Sequence, residues 1–295
     1  MSETVFSAAD SPIFWLGQQA KILMHITVLN DSEFQQFQSW LHITAGISLS
    51  PSKKALVAGR LAKRLKHYNL NSYGDYFRLI THKEEAAELQ LALDLLTTNE
   101  THFFREPKHF DFLRSHVLPE AQPGKTFRVW CAACSTGEEP YSIAMTLAEG
   151  LSIGSFGTPW EIVASDISTR VLEKARSGHY KIERSGGIPK PLLAKYCLKG
   201  TGSQQGTFLI EQSLLSRVQF MQVNLNAALP KLGEFDVIFL RNVMIYFNME
   251  TKREVVARML PLLKQGGYFI ISHSESLNGI TDRLKVLTPS IYRKL

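Results

Sequence analysis

Four segments of the chain end in polar side chains of the kinds that recognise a nucleotide-like ligand, and each follows an apolar run that reads as a buried strand. The first end is Ala133-Cys134-Ser135-Thr136-Gly137-Glu138-Glu139-Pro140-Tyr141. Its small residues allow a close backbone approach, Pro140 suits the first turn of a helix, and Thr136 with Glu139 has capping-box spacing. The turn lacks GxGxxG, and Glu139 serves equally well as a helix cap. The second strand ends in Asp166, a carboxylate matched to the two hydroxyls of a ribose and also suited to capping the next helix. The third ends in Asn224-Leu225-Asn226 and the fourth in Arg241-Asn242-Val243. An asparagine amide offers a donor and an acceptor, which fits an adenine edge or an amino-acid moiety. Upstream, Thr97-Thr98-Asn99-Glu100-Thr101-His102-Phe103-Phe104-Arg105-Glu106 concentrates hydroxyls, an amide and a guanidinium in what is otherwise a linker. Ligands of a doubly wound sheet bind beyond the carboxyl ends of its strands. Successive polar tips therefore point to a site more strongly than any one of them.

The elements that must position these residues follow from periodicity. Apolar runs at 127–133, 160–165, 218–223, 235–240 and 268–272 read as strands, with a further edge strand at 291–295. Helical patterns at 140–150, 169–177 and 250–264 alternate with them, the last closed by Gly266 and Gly267. Repeated βα units imply a mostly parallel sheet covered by helices on both faces. The glycine-rich stretch 179–217 breaks the rhythm and reads as an inserted small β-subdomain around a short strand at 208–210. Residues 29–96 are helical in pattern throughout: Phe34, Phe37, Trp40 and Leu41 recur at helical spacing, as do Val57, Leu61, Leu65 and Tyr68, and 85–96 is a third long helix. The expected organisation is thus an N-terminal extension (1–28), a small all-α domain (29–96), a linker contributing to the site (97–107) and an α/β domain (108–295).

Composition narrows the function classes. A net charge of +6 with a pI near 9.1 favours an acidic partner. On the second helix, Lys53, Arg60, Arg64 and His67 share one face, flanked by Lys54, Lys63 and Lys66. That face is either solvated or a docking surface for acidic helices. No aromatic-studded basic surface suggests nucleic acid, and no apolar run is long enough for membrane insertion. Three cysteines form no disulfide framework, which indicates a cytoplasmic protein. Cys131 and Cys134 make a CxxC pair without a second pair, and the nine histidines are scattered, so no metal is expected.

The segments TTNETHFFRE, VWCAACSTGEEPYSIAM, ASDIS, LEKARSGHY, FDVIFLRNVMIYF and SHSES resemble the chemotaxis receptor glutamate methyltransferases, the CheR family, over roughly residues 30–295. The resemblance implies a class I S-adenosylmethionine-dependent methyltransferase fold, Rossmann-like, with a small helical N-terminal domain and an inserted β-subdomain. It implies cofactor contacts from Asn99, Thr101, Arg105, Glu139 (rather than Glu138), Asp166, Asn224, Leu225, Arg241 and Asn242. Arg105 and Tyr246 match the positions that orient the reacting groups. Lys199-Gly200-Thr201-Gly202 resembles the glycine-containing loop with which some members dock a receptor's C-terminal tether. The implied substrate contacts are therefore Lys53, Arg60, Arg64, Gly200 and Gly202. The implied partners are chemoreceptor cytoplasmic helices, met by a monomer recruited to membrane receptor arrays. Alternatives are methylation of another protein or of RNA, an NAD enzyme (disfavoured by the missing GxGxxG), and a non-catalytic cofactor-binding adaptor.

Overall fold

The computed structural model describes residues 27–82, 84–154 and 156–295. The expected N-terminal extension lies outside the described residues except for its last two positions.

Four helices open the described chain: α1 (Asp31–Ala45), α2 (Lys54–His67), α3 (Tyr73–Thr81) and α4 (Ala86–Leu96). α1 starts in a reciprocal capping box, in which Asn30 accepts from the Glu33 amide and Glu33 accepts from the Asn30 amide. The two apolar stripes read from sequence meet in one cluster, where Phe37, Leu41, Val57, Leu61 and Tyr76 are fully buried. α3, not distinguished as a separate helix from the sequence, contributes Tyr73, Tyr76 and Ile80 to it.

After α5 (Lys108–Phe112), which runs on through a π-turn to Val117, the chain builds β1 (Phe127–Ala132), α6 (Glu138–Ser152), β2 (Trp160–Asp166) and α7 (Thr169–Ser177). It then forms β3 (His179–Lys181), α8 (Lys190–Tyr196), β4 (Cys197–Lys199), β5 (Thr207–Ile210), α9 (Gln212–Leu215) and β6 (Val218–Gln222). The remaining elements are β7 (Phe235–Leu240), α10 (Met249–Met259), β8 (Leu263–Ile270), β9 (Leu284–Thr288) and β10 (Ile291–Lys294). The main sheet has the order β6-β2-β1-β7-β8-β10-β9. Its first five strands in that order pair in parallel, and β10 is antiparallel to both its neighbours. One apolar cluster covers each face of the sheet: Val129, Cys131 and Phe239 point to one, Trp130, Ile238 and Leu240 to the other. β3, β5 and β4 form a separate antiparallel sheet with β5 in the middle.

Two expectations from sequence need correction. The helix expected to reach Lys264 ends at Met259, because Pro261 allows only a short 3-10 turn and β8 already starts at Leu263. Gly266 and Gly267 therefore sit inside β8 rather than closing a helix, beside a register shift against β7. The terminal strand is not an edge, since β9 pairs with its outer side. β9 buries only Leu284 and leaves the rest exposed, so it carries no alternating apolar signal.

Candidate functional site

Strand order reverses between β1 and β7, and there a cavity of about 550 Å³ opens beyond the strand ends. The helical domain roofs it. After α1, Gly46 takes a left-handed C-cap, Ile47 bridges to Phe247, and the Ser48 amide donates to the Tyr246 carbonyl at 2.8 Å. Asn99, Thr101, Arg105, Glu139, Asp166, Asn224, Leu225, Arg241, Asn242 and Tyr246 all border this cavity, as do Lys53 and Arg60. Arg64, Gly200 and Gly202 are not among its lining residues.

The β1–α6 turn is wound tightly. Ala133, Ser135 and Gly137 all have positive φ, and a Cβ on Gly137 would lie 2.8 Å from the Tyr180 hydroxyl. The expected capping box is absent: Gly137 is the N-cap, it offers no side chain, and Thr136 Oγ1 donates instead to Glu138 at 2.6 Å. Glu138 is fully buried and paired with Arg184, whereas Glu139 faces the cavity wall, pairs with Arg241 and accepts from the Cys131 thiol at 3.2 Å. Burial raises the pKa of both Cys131 and Cys134, so they are neutral packing groups.

Asp166 does not cap α7; Ser168 does, accepting from the Val171 amide. The Asp166 carboxylate accepts from the Ser135 amide at 2.8 Å and the Ser168 amide at 3.0 Å, one on each oxygen. Burial raises its pKa against these backbone donors. The Ile167 amide also acts on this carboxylate, which borders the cavity. Ser135, which the sequence did not single out, also ties the linker down through its hydroxyl, 2.7 Å from the Asn99 carbonyl.

Several polar side chains expected to face a ligand are already committed to protein partners. Asn224 donates to the Thr44 carbonyl at 2.6 Å and accepts from the Asn226 amide at 2.9 Å, so its amide fastens the end of α1. Asn224 and Leu225 nonetheless border the cavity, and the Asn224 amide keeps one N–H and one lone pair beyond these two bonds. The Arg241 side chain is wholly buried between Glu139 and Glu106, and it donates to the Arg105 carbonyl at 2.6 Å. Asn242 holds a φ of 57°, and its backbone N–H, not its side chain, donates to Glu275 at 3.0 Å. Glu275, within SHSES, thereby holds the β7 tip, a role with no local signal in the sequence.

The basic face of α2 divides. Arg60 donates to the carbonyls of Leu96 and Thr97, both at 3.0 Å, clasping the start of the linker. Arg64 forms a two-pronged pair with Glu88 at 2.7 and 2.6 Å. Lys53, Lys63, Lys66 and His67 stay exposed. The four-residue face expected from spacing is thus split between internal and outward uses, because a guanidinium on a helix reaches neighbouring carboxylates and carbonyls as easily as solvent. Gly200 and Gly202 lie in the turn joining β4 to β5, where the Gly200 amide donates to the Thr207 carbonyl at 2.9 Å.

The histidines are less scattered in space than in sequence. His109 and His273 have ring centroids 4.6 Å apart, and both contact Ser290 Oγ. Burial pushes the His109 pKa down to about 3, so its ring is neutral. Glu106, His109 and His273 bring ligand atoms within 4.8 Å of one another. Arg241, 3.1 Å from the Glu106 carboxylate, opposes a divalent cation there.

A reversal point in a parallel sheet, a paired acid at the β2 tip and a roofed cavity define a nucleotide-type site. Residues 99–292 match the family model described as CheR methyltransferase, SAM binding domain, which makes the cofactor S-adenosylmethionine and the fold a class I methyltransferase. Residues 32–97 match CheR methyltransferase, all-alpha domain. The chain belongs to the CheR methyltransferase family. It is 44% identical over 288 residues to chemotaxis protein methyltransferase 2 of Pseudomonas aeruginosa, covering 97% of this chain and 98% of that one. It is 40% identical over 280 residues to the chemotaxis protein methyltransferase of Escherichia coli K12, covering 93% and 96%. The cavity suits the cofactor: its volume lies in the usual range for small-molecule sites, and it is bordered by a carboxylate, Asp166, of the type a ribose diol would meet.

Proposed function

We propose that this chain methylates glutamate side-chain carboxylates on the cytoplasmic helices of chemoreceptors, giving methyl esters for sensory adaptation. The observation that carries this reading is that Arg105, Arg60 and the exposed Lys53 border one cavity beside Tyr246, while two of its three acidic lining residues are engaged, Glu139 by Arg241 and Asp166 by backbone amides. An acidic helix approaching that opening meets positive charge where its carboxylate must enter.

A glutamate is ionised at neutral pH. Its oxygen lone pair forms the new O–CH₃ bond as the S–CH₃ bond breaks, and the bonding pair leaves on sulfur. No proton moves, so no general base is needed. Bound S-adenosylmethionine supplies the sulfonium-activated methyl and a neutral thioether leaving group. The chain's task is proximity, alignment and exclusion of water. Asp166 is assigned the ribose hydroxyls. Asn99, Thr101, Glu139, the Asn224-Leu225 segment, Arg241 and Asn242 are assigned to the walls that hold the cofactor. Arg105 orients the acceptor carboxylate and Tyr246 supports the methyl-transfer geometry.

On this reading residues 29–96 face the receptor, 97–107 close the cofactor in, and 108–295 carry the chemistry. The insert at about 179–217 receives a receptor's C-terminal tether on the small sheet's edge strand β4, beside Gly200 and Gly202. The enzyme acts as a monomer at receptor arrays. Among the described residues no helix is long and apolar enough to cross a membrane.

The test is transfer of labelled methyl from S-adenosylmethionine to receptor cytoplasmic fragments with and without their C-terminal tails. Base-labile label on glutamate supports the reading, and base-stable label, or none, defeats it. Equal rates with and without tails would remove the tether assignment.

A further inference from the structure

Arg105 sits between two non-glycine residues with left-handed backbone, Phe104 at φ 52° and Glu106 at φ 58°. Such conformations are disfavoured for L-residues and persist only where surrounding contacts enforce them. Those contacts are specific here. The Phe104 amide donates to Ser142 Oγ at 2.9 Å, and the Arg105 carbonyl accepts from Arg241 Nη2 at 2.6 Å. The Glu106 carboxylate lies 3.1 Å from that same Nη2 and accepts from the His273 amide at 3.2 Å. Behind it, Nδ1 of the fully buried His109 is 3.5 Å from the carboxylate, while its Nε2 is 2.7 Å from Ser290 Oγ. Glu106 and His109 do not border the cavity, so neither touches cofactor or acceptor directly.

We propose that Glu106, backed by His109, is a positioning residue for methyl transfer: it fixes the Arg241 fork, and through it the Arg105 backbone, so that the Arg105 guanidinium is held toward the acceptor carboxylate. Glu139 grips the other prong of the same guanidinium, so Arg241 cannot rotate without losing a charged partner on either side. The neutral His109 ring packs against the carboxylate without hydrogen-bonding it, while its Nε2 meets Ser290 Oγ, which also contacts His273 of the SHSES segment. The inference rests on the role proposed above for Arg105.

The experiment is a mutant cycle on the full chain, using labelled S-adenosylmethionine and a receptor cytoplasmic fragment, with S-adenosylhomocysteine affinity measured by calorimetry. Glu106→Ala is expected to lower kcat at least tenfold while cofactor affinity stays within threefold, and Glu106→Gln, which keeps an acceptor oxygen, recovers part of the loss. His109→Ala lowers kcat in the same direction by a smaller factor. The double variant Arg105→Ala/Glu106→Ala should be no slower than Arg105→Ala alone, because residues acting as one unit are non-additive. Multiplying losses in the double variant overturn the inference, as does a fall in cofactor affinity that tracks kcat in both Glu106 variants. Glu106→Ala at parental kcat beside a slow Arg105→Ala overturns this inference alone. Arg105→Ala at parental kcat removes the Arg105 role and this inference with it.

Discussion

Replacing Arg64 by alanine separates a docking role for the basic helix from a structural one. Glu88, 5% exposed, accepts from Arg64 Nε and Nη2, from the Tyr76 hydroxyl at 2.6 Å and from the Tyr68 hydroxyl at 3.2 Å. Without Arg64 the carboxylate stays buried with only the two phenols. Breaking a fully buried ion pair costs about 3–5 kcal/mol. The Arg64 side chain keeps 20% of its surface in water, so screening lowers the expected cost to roughly 2–3 kcal/mol. For a chain of 295 residues that corresponds to a fall in melting midpoint of roughly 3–5 °C. Thermal unfolding followed by circular dichroism reads the shift. Arg64→Lys should fall between parent and alanine variant, because an ammonium cannot match the two-pronged geometry. The exposed controls Lys63→Glu and Lys66→Glu should stay within about 0.5 kcal/mol of the parent. Methyl transfer by Arg64→Ala, assayed well below its midpoint, should then be near parental. An Arg64→Ala protein that melts with the parent yet has lost methyl transfer would refute the structural reading and return Arg64 to the docking surface.

Two further outcomes follow from the same contacts. A Cβ on Gly187 would lie 2.0 Å from the Phe103 carbonyl, so Gly187→Ala must push the insert away from the linker and is expected to weaken cofactor binding several-fold by calorimetry. Gly186→Ala, which meets open space, should change nothing, and equal behaviour of the two would show that the linker does not depend on this packing. Burial pushes the Glu88 pKa upward, but the hydrogen bonds from Arg64 and Tyr76 outweigh it and hold the pKa below the ordinary value. A depressed carboxylate contributes stability that is complete above its unfolded pKa, near 4.3, and is lost as pH falls through the lower folded value. Unfolding midpoints should therefore drop with acidification below about pH 4.3, and Glu88→Gln should show a shallower drop over that window.

The helical first domain, the alternating βα order, the inserted β-rich stretch and the polar strand tips were legible in the sequence because each depends on local periodicity. A strand buried on both faces, such as 235–240, is apolar whatever it packs against, and a residue just past its end is polar only where something polar is to be met. The family motifs added the cofactor and the reaction to that frame. β9 escaped because one buried residue in five leaves no pattern. The partners of Arg60, Arg64, Asn224 and Arg241 were equally invisible, since each lies far away in the chain or on another element. Only packing brings Glu88 under Arg64, the Thr44 carbonyl to Asn224, and Glu106 with Glu139 to Arg241. Side-chain type fixes how many hydrogen bonds a group must make, whereas the tertiary structure decides whether protein or ligand makes them. That division explains why the residues named from the strand tips border one cavity while several of their polar groups are holding its walls together.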